Sequence, residues 1–171
     1  YGWDTIGSSY TNLEVLIRFN SKTGAILLPA LRASGTTSRT GYILLIRNDN
    51  NVLDVRRSVS NLETSLGTQA VTIDDNTLYW VRFRVNGDDI KVKFWADGSS
   101  EPTSWTKEVT DSSDSKISSA GRVQIGTTGN TSSETWIDIC GVGTDGDSAP
   151  NKGTTPIVGE KYPLPPFRRS V

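Results

Sequence analysis

Hydrophobic and polar residues alternate along most of this chain, and the alternation predicts β-strands. From Leu13 to Phe19 every second residue is hydrophobic, whereas Glu14 and Arg18 fall between them. Because a strand turns successive side chains to opposite faces, a period of two indicates one buried and one polar face. No segment longer than about ten residues shows the period of a helix. Further strands are predicted at 26–33, 41–47, 52–59, 68–73, 105–111, 121–126 and 134–142.

The clearest alternation runs from Leu78 to Ala96 and predicts a β-hairpin. One face of this hairpin is hydrophobic and carries Tyr79, Val81, Phe83, Val85, Ile90, Val92, Phe94 and Ala96. The opposite face, called here the candidate face, carries Trp80, Arg82, Arg84, Lys91, Lys93 and Trp95. Hydrophobic side chains facing a second sheet would leave the candidate face turned outward.

The register of the hairpin stays open between two turns. A turn at Asn86–Gly87 would place Arg84 opposite Asp89. A turn at Gly87–Asp88 would instead pair Trp80 with Trp95, so that the cations of the two strands also lie opposite each other. Both registers keep the same residues on the candidate face, because they differ by an even shift.

Length and turn spacing favour one all-β domain. The chain has 171 residues, and strands with turns every 8–12 residues are typical of a sandwich or barrel. From residue 143 the character changes, and 150–171 holds five of the seven prolines. We therefore predict a β-sandwich over 1–150 and an extended C-terminal arm or linker over 151–171.

Composition excludes several classes of function. The net charge of −1 argues against general nucleic-acid binding. One cysteine and no histidine exclude an intrachain disulfide, imidazole chemistry and an ordinary zinc site. No apolar run reaches the ~18 residues of a membrane helix, and the N-terminus shows no signal peptide. We expect no membrane partner and no nucleic-acid partner.

The hairpin, the segment Glu101–Trp105 and the closing segment Trp136–Gly146 together resemble the concanavalin A-like, laminin-G-like jelly roll. The resemblance covers roughly 10–150 and implies an all-β, two-sheet antiparallel jelly-roll sandwich, to which the Pro-rich arm is appended. Domains of this kind occur in bacteriophage virion proteins and in bacterial surface proteins. The fold hosts many functions, so the resemblance implies architecture far more than activity.

The candidate face supports two interpretations. It could bind an anionic glycan or an acidic protein surface, with Trp80 or Trp95 as stacking platforms. Alternatively, its cations pair with carboxylates such as Glu14, Asp54 or Glu108, and the tryptophans are packing residues under a loop. We interpret Trp105 as a structural plug.

Catalytic and metal sites have weaker support. Retaining glucanases of this fold place Glu-x-Asp-x-Glu on one strand, whereas this chain has Trp136 between Glu134 and Asp138. Residues four apart on a strand lie about 13 Å apart, which is long for paired carboxylates. We therefore predict no catalytic residues and no enzyme. The resemblance also raises a Ca²⁺ site at Asp138 and Asp145, with turn formation by these residues as the alternative.

These observations predict a non-catalytic structural or adhesion module. The module would be a capsid decoration, head-fibre or tail protein of a phage virion, and it could also bind glycans. The alternative is a carbohydrate-binding module of a secreted or bacterial cell-surface protein, and a glucanase or polysaccharide lyase ranks below both. We expect a homo-oligomer or a component of an assembly with other virion or surface subunits. The arm would supply a partner-binding segment through Leu164, Phe167, Arg168 and Arg169.

Overall fold

The computed structural model describes residues 2–35, 37–129 and 135–150, except for the side chains of residues 2, 3 and 138–140. The described residues form eleven β-strands, and no helix among them is long and apolar enough to span a membrane. The strands are β1 (Gly2–Tyr10), β2 (Leu13–Ser21), β3 (Ile26–Ser34), β4 (Thr40–Arg47), β5 (Val52–Val59), β6 (Leu62–Ala70), β7 (Leu78–Asn86), β8 (Asp89–Ala96), β9 (Lys107–Thr110), β10 (Gly121–Thr128) and β11 (Thr135–Thr144).

The strands form two antiparallel sheets that pack face to face. One sheet has six strands in the order β1-β10-β3-β4-β5-β6, and the other has five in the order β11-β2-β7-β8-β9. The prediction of an all-β, two-sheet jelly-roll sandwich is therefore confirmed. The Pro-rich arm, with its candidate partner residues Leu164, Phe167, Arg168 and Arg169, lies outside the described residues.

The hairpin of β7 and β8 adopts the second of the two registers left open by the sequence. Trp80 lies opposite Trp95, and Asn86 lies opposite Asp89 across a turn at Gly87–Asp88. Gly87 has a φ of 59°, a left-handed conformation that glycine adopts without the steric cost of a Cβ.

The core lies between the sheets and is built from the hydrophobic faces of the strands. Val15, Ile17 and Phe19 of β2 and Val81 and Phe83 of β7 are each fully buried. Burying an aliphatic or aromatic side chain of this size stabilises the fold by about 1.5–3 kcal/mol. The inward side of the hairpin is therefore a core face, and the candidate face is the outer surface of the five-stranded sheet.

Two edge strands, β1 and β6, depart from the sequence prediction. The hydrophobic pattern predicts no strand at the position of β1, and the predicted strand at 68–73 overlaps only the end of β6. Six of the nine residues of β6 are exposed. An edge strand with little to bury needs no hydrophobic alternation, so the pattern does not mark it.

A polar cluster closes one end of the sandwich and ties the sheets together. The Tyr42 hydroxyl donates to Asp111 at 3.0 Å, and Arg57 donates to the same carboxylate at 2.9 Å. Tyr42 and Arg57 lie on the six-stranded sheet, whereas Asp111 follows the last strand of the five-stranded sheet. Burial is the main cause that raises the pKa of Tyr42 to about 12. This hydroxyl therefore stays protonated, and remains a donor, over the physiological pH range.

Candidate functional site

The two tryptophans of the candidate face are buried. Trp80 and Trp95 stack with ring centroids 6.1 Å apart and an angle of 10° between their planes. They are 6% and 9% exposed, and they form a small cluster with Leu16 and Ala149. Neither ring offers a free surface for stacking, so the geometry favours the packing interpretation of both residues.

Two segments that cross the sheet from outside bury these tryptophans. The first is the loop between β8 and β9, where Asp97 accepts a hydrogen bond from Trp80 Nε1 at 2.7 Å. The second is the chain after β11, which brings Ala149 onto the ring pair and Pro150 onto Gly141. A Cβ on Gly141 would lie 3.2 Å from the Pro150 ring, so glycine gives the second segment room to lie flat.

Arg82 is buried in a network of carboxylates. Its guanidinium donates to Glu14, to both oxygens of Glu101 at 2.8 Å and to the carbonyl of Ala149 at 3.0 Å. Lys93 donates to Glu101 at 3.0 Å. Burial alone would lower the pKa of Arg82, but the two carboxylates outweigh it and raise that pKa. Arg82 therefore stays charged and holds both crossing segments against the sheet.

The remaining cations of the candidate face are also paired. Lys91 lies 2.6 Å from Glu108, and Arg84 Nη1 lies 3.8 Å from Glu14 Oε2. Glu14 and Glu108 are thus partners of the face, as expected, whereas the third expected partner, Asp54, binds Arg56 on the other sheet at 2.7 Å. Each of the four cations of the face therefore has a carboxylate within 4 Å.

Two depressions lie beside this network, and Arg84 and Trp105 line both of them. The first has a volume of about 250 Å³ and the second about 420 Å³. We call the two depressions together the Trp105 trough. Trp105 is partly exposed, and Lys93 Nζ lies 5.0 Å from its ring centroid, within cation–π distance. The trough is lined by Glu14, Arg82, Arg84, Asn86, Asp89, Lys91, Lys93, Glu101, Trp105, Ser148, Ala149 and Pro150.

The sequence pattern assigned Trp105 to a packing role, and only its tertiary position indicates a binding role. The residue begins the strand predicted at 105–111, but in the structure it lies just before β9. Its position over Lys93 and beside the depressions that Arg84 also lines depends on the fold of the preceding loop. A tryptophan amid charged residues after a proline-containing loop is the one signal in the sequence that could have suggested this position.

The outer surface of the six-stranded sheet carries a separate depression with a different character. Its volume is about 210 Å³, and its floor is aliphatic, formed by Leu28, Ile43 and Leu45. Arg56 at its rim is paired with Glu63 at 2.9 Å. Among its described lining residues there is no aromatic side chain, which distinguishes it from the Trp105 trough.

The described residues supply little of a calcium site. Asp145 is exposed, has a φ of 52° and donates its backbone N–H to the carbonyl of Asn12 at 3.1 Å. This geometry is that of a turn residue. Within 2–35, 37–129 and 135–150 no three acidic or sulfur-bearing side chains converge as a metal site. The side chain of Asp138, and the whole of Glu134, fall outside the described part.

Glu101, a carboxylate of the trough, is held in ion pairs with Arg82 and Lys93. Burial would raise the pKa of Glu101, but hydrogen bonds from Arg82 and Lys93 outweigh it and hold that pKa below its ordinary value of 4.5. A general acid needs the opposite shift, because it must hold a proton near neutral pH. Glu101 is thus a structural anion.

The depressed pKa of Glu101 predicts acid sensitivity. A carboxylate whose pKa is lower in the folded state than in the unfolded state stabilises the fold at pH values above its unfolded-state pKa. This contribution disappears as the pH falls through its folded-state pKa. We expect Glu101→Gln to reduce the loss of unfolding free energy below pH 4.5, measured by urea denaturation across pH. Glu108→Gln is the control, since that side chain is 52% exposed. Equal pH profiles for the two variants would contradict the assignment.

Comparison with known structures identifies the fold. No protein-family model and no curated protein matches the chain. The carbohydrate-binding module CBM66 from Bacillus subtilis matches with a TM-score of 0.63 at 12% identity, over 82% of this chain and 80% of that one. The exoplasmic/lumenal domain of VIP36, in a form bound to Ca²⁺ and Man3GlcNAc, matches with a TM-score of 0.56 at 11% identity, over 83% of each chain.

A third match is to part of a larger protein. The GH43 protein BlXynB from Bacillus licheniformis matches with a TM-score of 0.53 at 11% identity, over 81% of this chain but 28% of that one. At such identities these likenesses establish architecture alone. The sandwich is a jelly roll of the concanavalin A-like kind, as the resemblance in the sequence implied.

Proposed function

We propose that this concanavalin A-like jelly roll is a non-catalytic carbohydrate-binding module whose binding site is the Trp105 trough. The observation that carries the proposal is the juxtaposition of Trp105 with Arg84, Asn86, Asp89 and Lys91 around one depression of about 250 Å³. A sugar presents weakly positive C–H groups on one face and hydroxyls at its rim. The negative face of an indole attracts the C–H groups, and the polar side chains can hydrogen-bond to the hydroxyls.

The charge balance of the trough favours a neutral glycan over an anionic one. Lys91 and Lys93 are neutralised by Glu108 and Glu101, and both lysines lie within 3.0 Å of those carboxylates. A polyanion would have to compete with these pairs, whereas hydroxyls can hydrogen-bond to them without displacing either partner. This proposal modifies the expectation of an anionic ligand.

The fold context supports the same proposal. A carbohydrate-binding module and a lumenal domain bound to Man3GlcNAc both share this architecture over more than four fifths of the present chain. The VIP36 domain is exoplasmic or lumenal, and by analogy we expect this protein to be secreted or exposed at a surface. The outer face of a rigid sheet can present a preorganised site, which lowers the entropic cost of binding.

An enzymatic role has less support. Two of the three carboxylates that line the trough, Glu14 and Glu101, are bound to Arg82, and Glu101 has a lowered pKa. Neither is placed as a general acid beside an unpaired nucleophile. Hydrolysis or lyase turnover on β-glucans and uronate polysaccharides, abolished by Glu134→Gln, would establish the enzymatic alternative.

The virion hypothesis stays a prediction. It depends on the proposed arm at 151–171, which lies outside the described residues, and on assembly with further subunits. A structural subunit of a virion that also binds host glycans would use the same trough. Oligomeric state and virion association therefore need direct measurement, by sedimentation and by fractionation of native particles.

Trp105→Ala is expected to weaken glycan binding at least tenfold, because it removes the only aromatic side chain among the described lining residues of the trough. The measurement is a glycan array of neutral and sialylated or uronate-containing oligosaccharides, followed by titration calorimetry with the best ligand. Tenfold corresponds to about 1.4 kcal/mol. Trp105→Phe should retain part of the affinity.

Leu62→Ala is the control for this experiment. Leu62 is an exposed apolar residue on the six-stranded sheet, with 76% of its surface in solvent. Its removal should leave glycan binding unchanged. The proposal fails if no glycan binds, or if Trp105→Ala binds the best ligand as tightly as the wild type does.

A further inference from the structure

One tryptophan on the outer surface of the five-stranded sheet is exposed to solvent. Trp136 is 66% exposed, whereas Trp80 and Trp95 on the same sheet are at most 9% exposed. Transferring so large an apolar surface from water is favourable, so an exposed indole on a strand is a ready site for a ligand.

The strand pairing fixes which face Trp136 occupies. Trp136 lies directly opposite Asn20, and its neighbour Ile137 lies opposite Phe19 and packs against the core. Directly opposed residues share a face, and successive residues alternate between faces. Trp136 and Asn20 therefore point outward, on the same surface as the Trp105 trough.

The surroundings of Trp136 supply polar partners beside the ring. Asn20 is paired in turn with Leu78 of β7, so the three side chains form one row across three strands. The next outward residue of β2 is Arg18, which donates to Asp97 at 2.6 Å. An indole beside a carboxamide offers both a stacking surface and a group that can donate and accept hydrogen bonds.

The position of Trp136 relative to the trough sets the length of the ligand. Asn20 and Glu14 are six residues apart on β2, a separation of about 20 Å at the rise of a strand. The two positions lie toward opposite ends of one rigid sheet. A mono- or disaccharide is too short to occupy both at once, whereas a linear polysaccharide is long enough.

We infer that Trp136 and Asn20 form a second glycan subsite, so that the module binds an extended neutral polysaccharide that runs over the crossing segments on the outer side of its five-stranded sheet. The inference rests on the proposed function of the Trp105 trough. Two linked subsites bind a long chain more tightly than either does alone, because the second contact forms at a high effective concentration. Affinity should therefore rise with the length of the glycan.

The test compares Trp136→Ala and Trp105→Ala with the wild-type protein. The probes are soluble neutral polysaccharides (glucan, mannan, xylan and galactan) and their hydrolysed oligomers, sorted by length, in affinity electrophoresis and calorimetry. Trp136→Ala should weaken binding to the long chain about tenfold and leave binding to the shortest bound oligomer unchanged. Trp105→Ala should weaken binding at every length. Trp136→Phe should restore most of the length dependence.

The outcomes separate the two proposals. If Trp136→Ala binds long chains like the wild type while Trp105→Ala does not, the second subsite is refuted and the trough stands. If neither substitution changes binding, both proposals fail. If Trp136→Ala changes only the sedimentation coefficient, Trp136 is a contact between copies of the chain and the subsite is refuted. Leu62→Ala again serves as the matched exposed apolar control.

Discussion

Arg82→Met is expected to lower the free energy of unfolding by about 3–5 kcal/mol, the usual cost of breaking a buried ion pair from one side. Methionine fills a similar volume but leaves the carboxylates of Glu14 and Glu101 without their shared cation. Glu14 is 2% exposed, so water cannot replace the lost hydrogen bonds there. Urea denaturation at pH 7 measures the loss.

Arg84→Met is the matched control, since Arg84 lies on the same strand and face but its side chain is 26% exposed. Its partner Glu14 is 3.8 Å away, so the expected cost is at most about 1 kcal/mol. Adding Glu14→Gln to Arg82→Met should recover part of the loss, because it removes the stranded charge. Equal costs for Arg82→Met and Arg84→Met would show that burial of the network contributes nothing to stability.

The same network links the stability of the fold to the proposed site. Glu101 belongs to the loop that carries Trp105, and Ala149 belongs to the segment that forms another wall of the trough. Arg82 binds both segments and therefore fixes the walls relative to the sheet. A binding site that is held in place before the ligand arrives loses less entropy on binding. Arg82→Met should consequently weaken glycan binding even under conditions where the variant is folded.

The sequence predicts the sandwich well because its core follows from local alternation. The period of two places Val81 and Phe83 in the core and Arg82 outside it, and the structure agrees. Turn chemistry limited the hairpin to two registers, and both gave the same faces. Only the end of β6 overlaps the predicted strand at 68–73, because an exposed edge strand imposes no hydrophobic pattern on most of its length.

The candidate site could be predicted only in part, because loops decide which outward residues stay exposed. Alternation places Trp80 and Trp95 on the outer face, but it cannot show that Ala149 covers them more than fifty residues later in the chain. For the same reason the partnership of Arg82 with Glu101 is invisible in the strand pattern. Trp105 and Trp136 gain their significance from tertiary position and exposure, which only coordinates provide.

A second large effect on the free energy of unfolding is expected at Arg32, at the end of the sandwich where several turns meet. Its guanidinium is buried and donates to the backbone carbonyls of Thr11, Ile117 and Gly87, the last at 2.7 Å. It also lies 5.9 Å from the centroid of the Tyr42 ring. The three carbonyls belong to three separate connections, between β1 and β2, between β7 and β8, and between β9 and β10. The Arg32 side chain thus hydrogen-bonds to connections that join strands of both sheets.

Arg32→Met is therefore expected to cost about 3 kcal/mol or more, because hydrogen bonds to a charged group contribute about 1.5–3 kcal/mol each and the stranded carbonyls lose their donors. Burial lowers the pKa of Arg32, but an arginine remains charged at neutral pH, so the effect should not depend on pH between about 6 and 8. Arg122 on the neighbouring strand β10 is exposed, so Arg122→Met should change the free energy of unfolding by no more than about 0.5 kcal/mol.

Hydrogen exchange measures the local effect of Arg32→Met. Backbone amides next to Thr11 and Gly87 should exchange faster in this variant, while those of the β2–β7 core should follow only the global loss of stability. Unchanged protection from hydrogen exchange at both turns would show that the Arg32 guanidinium does not stabilise them.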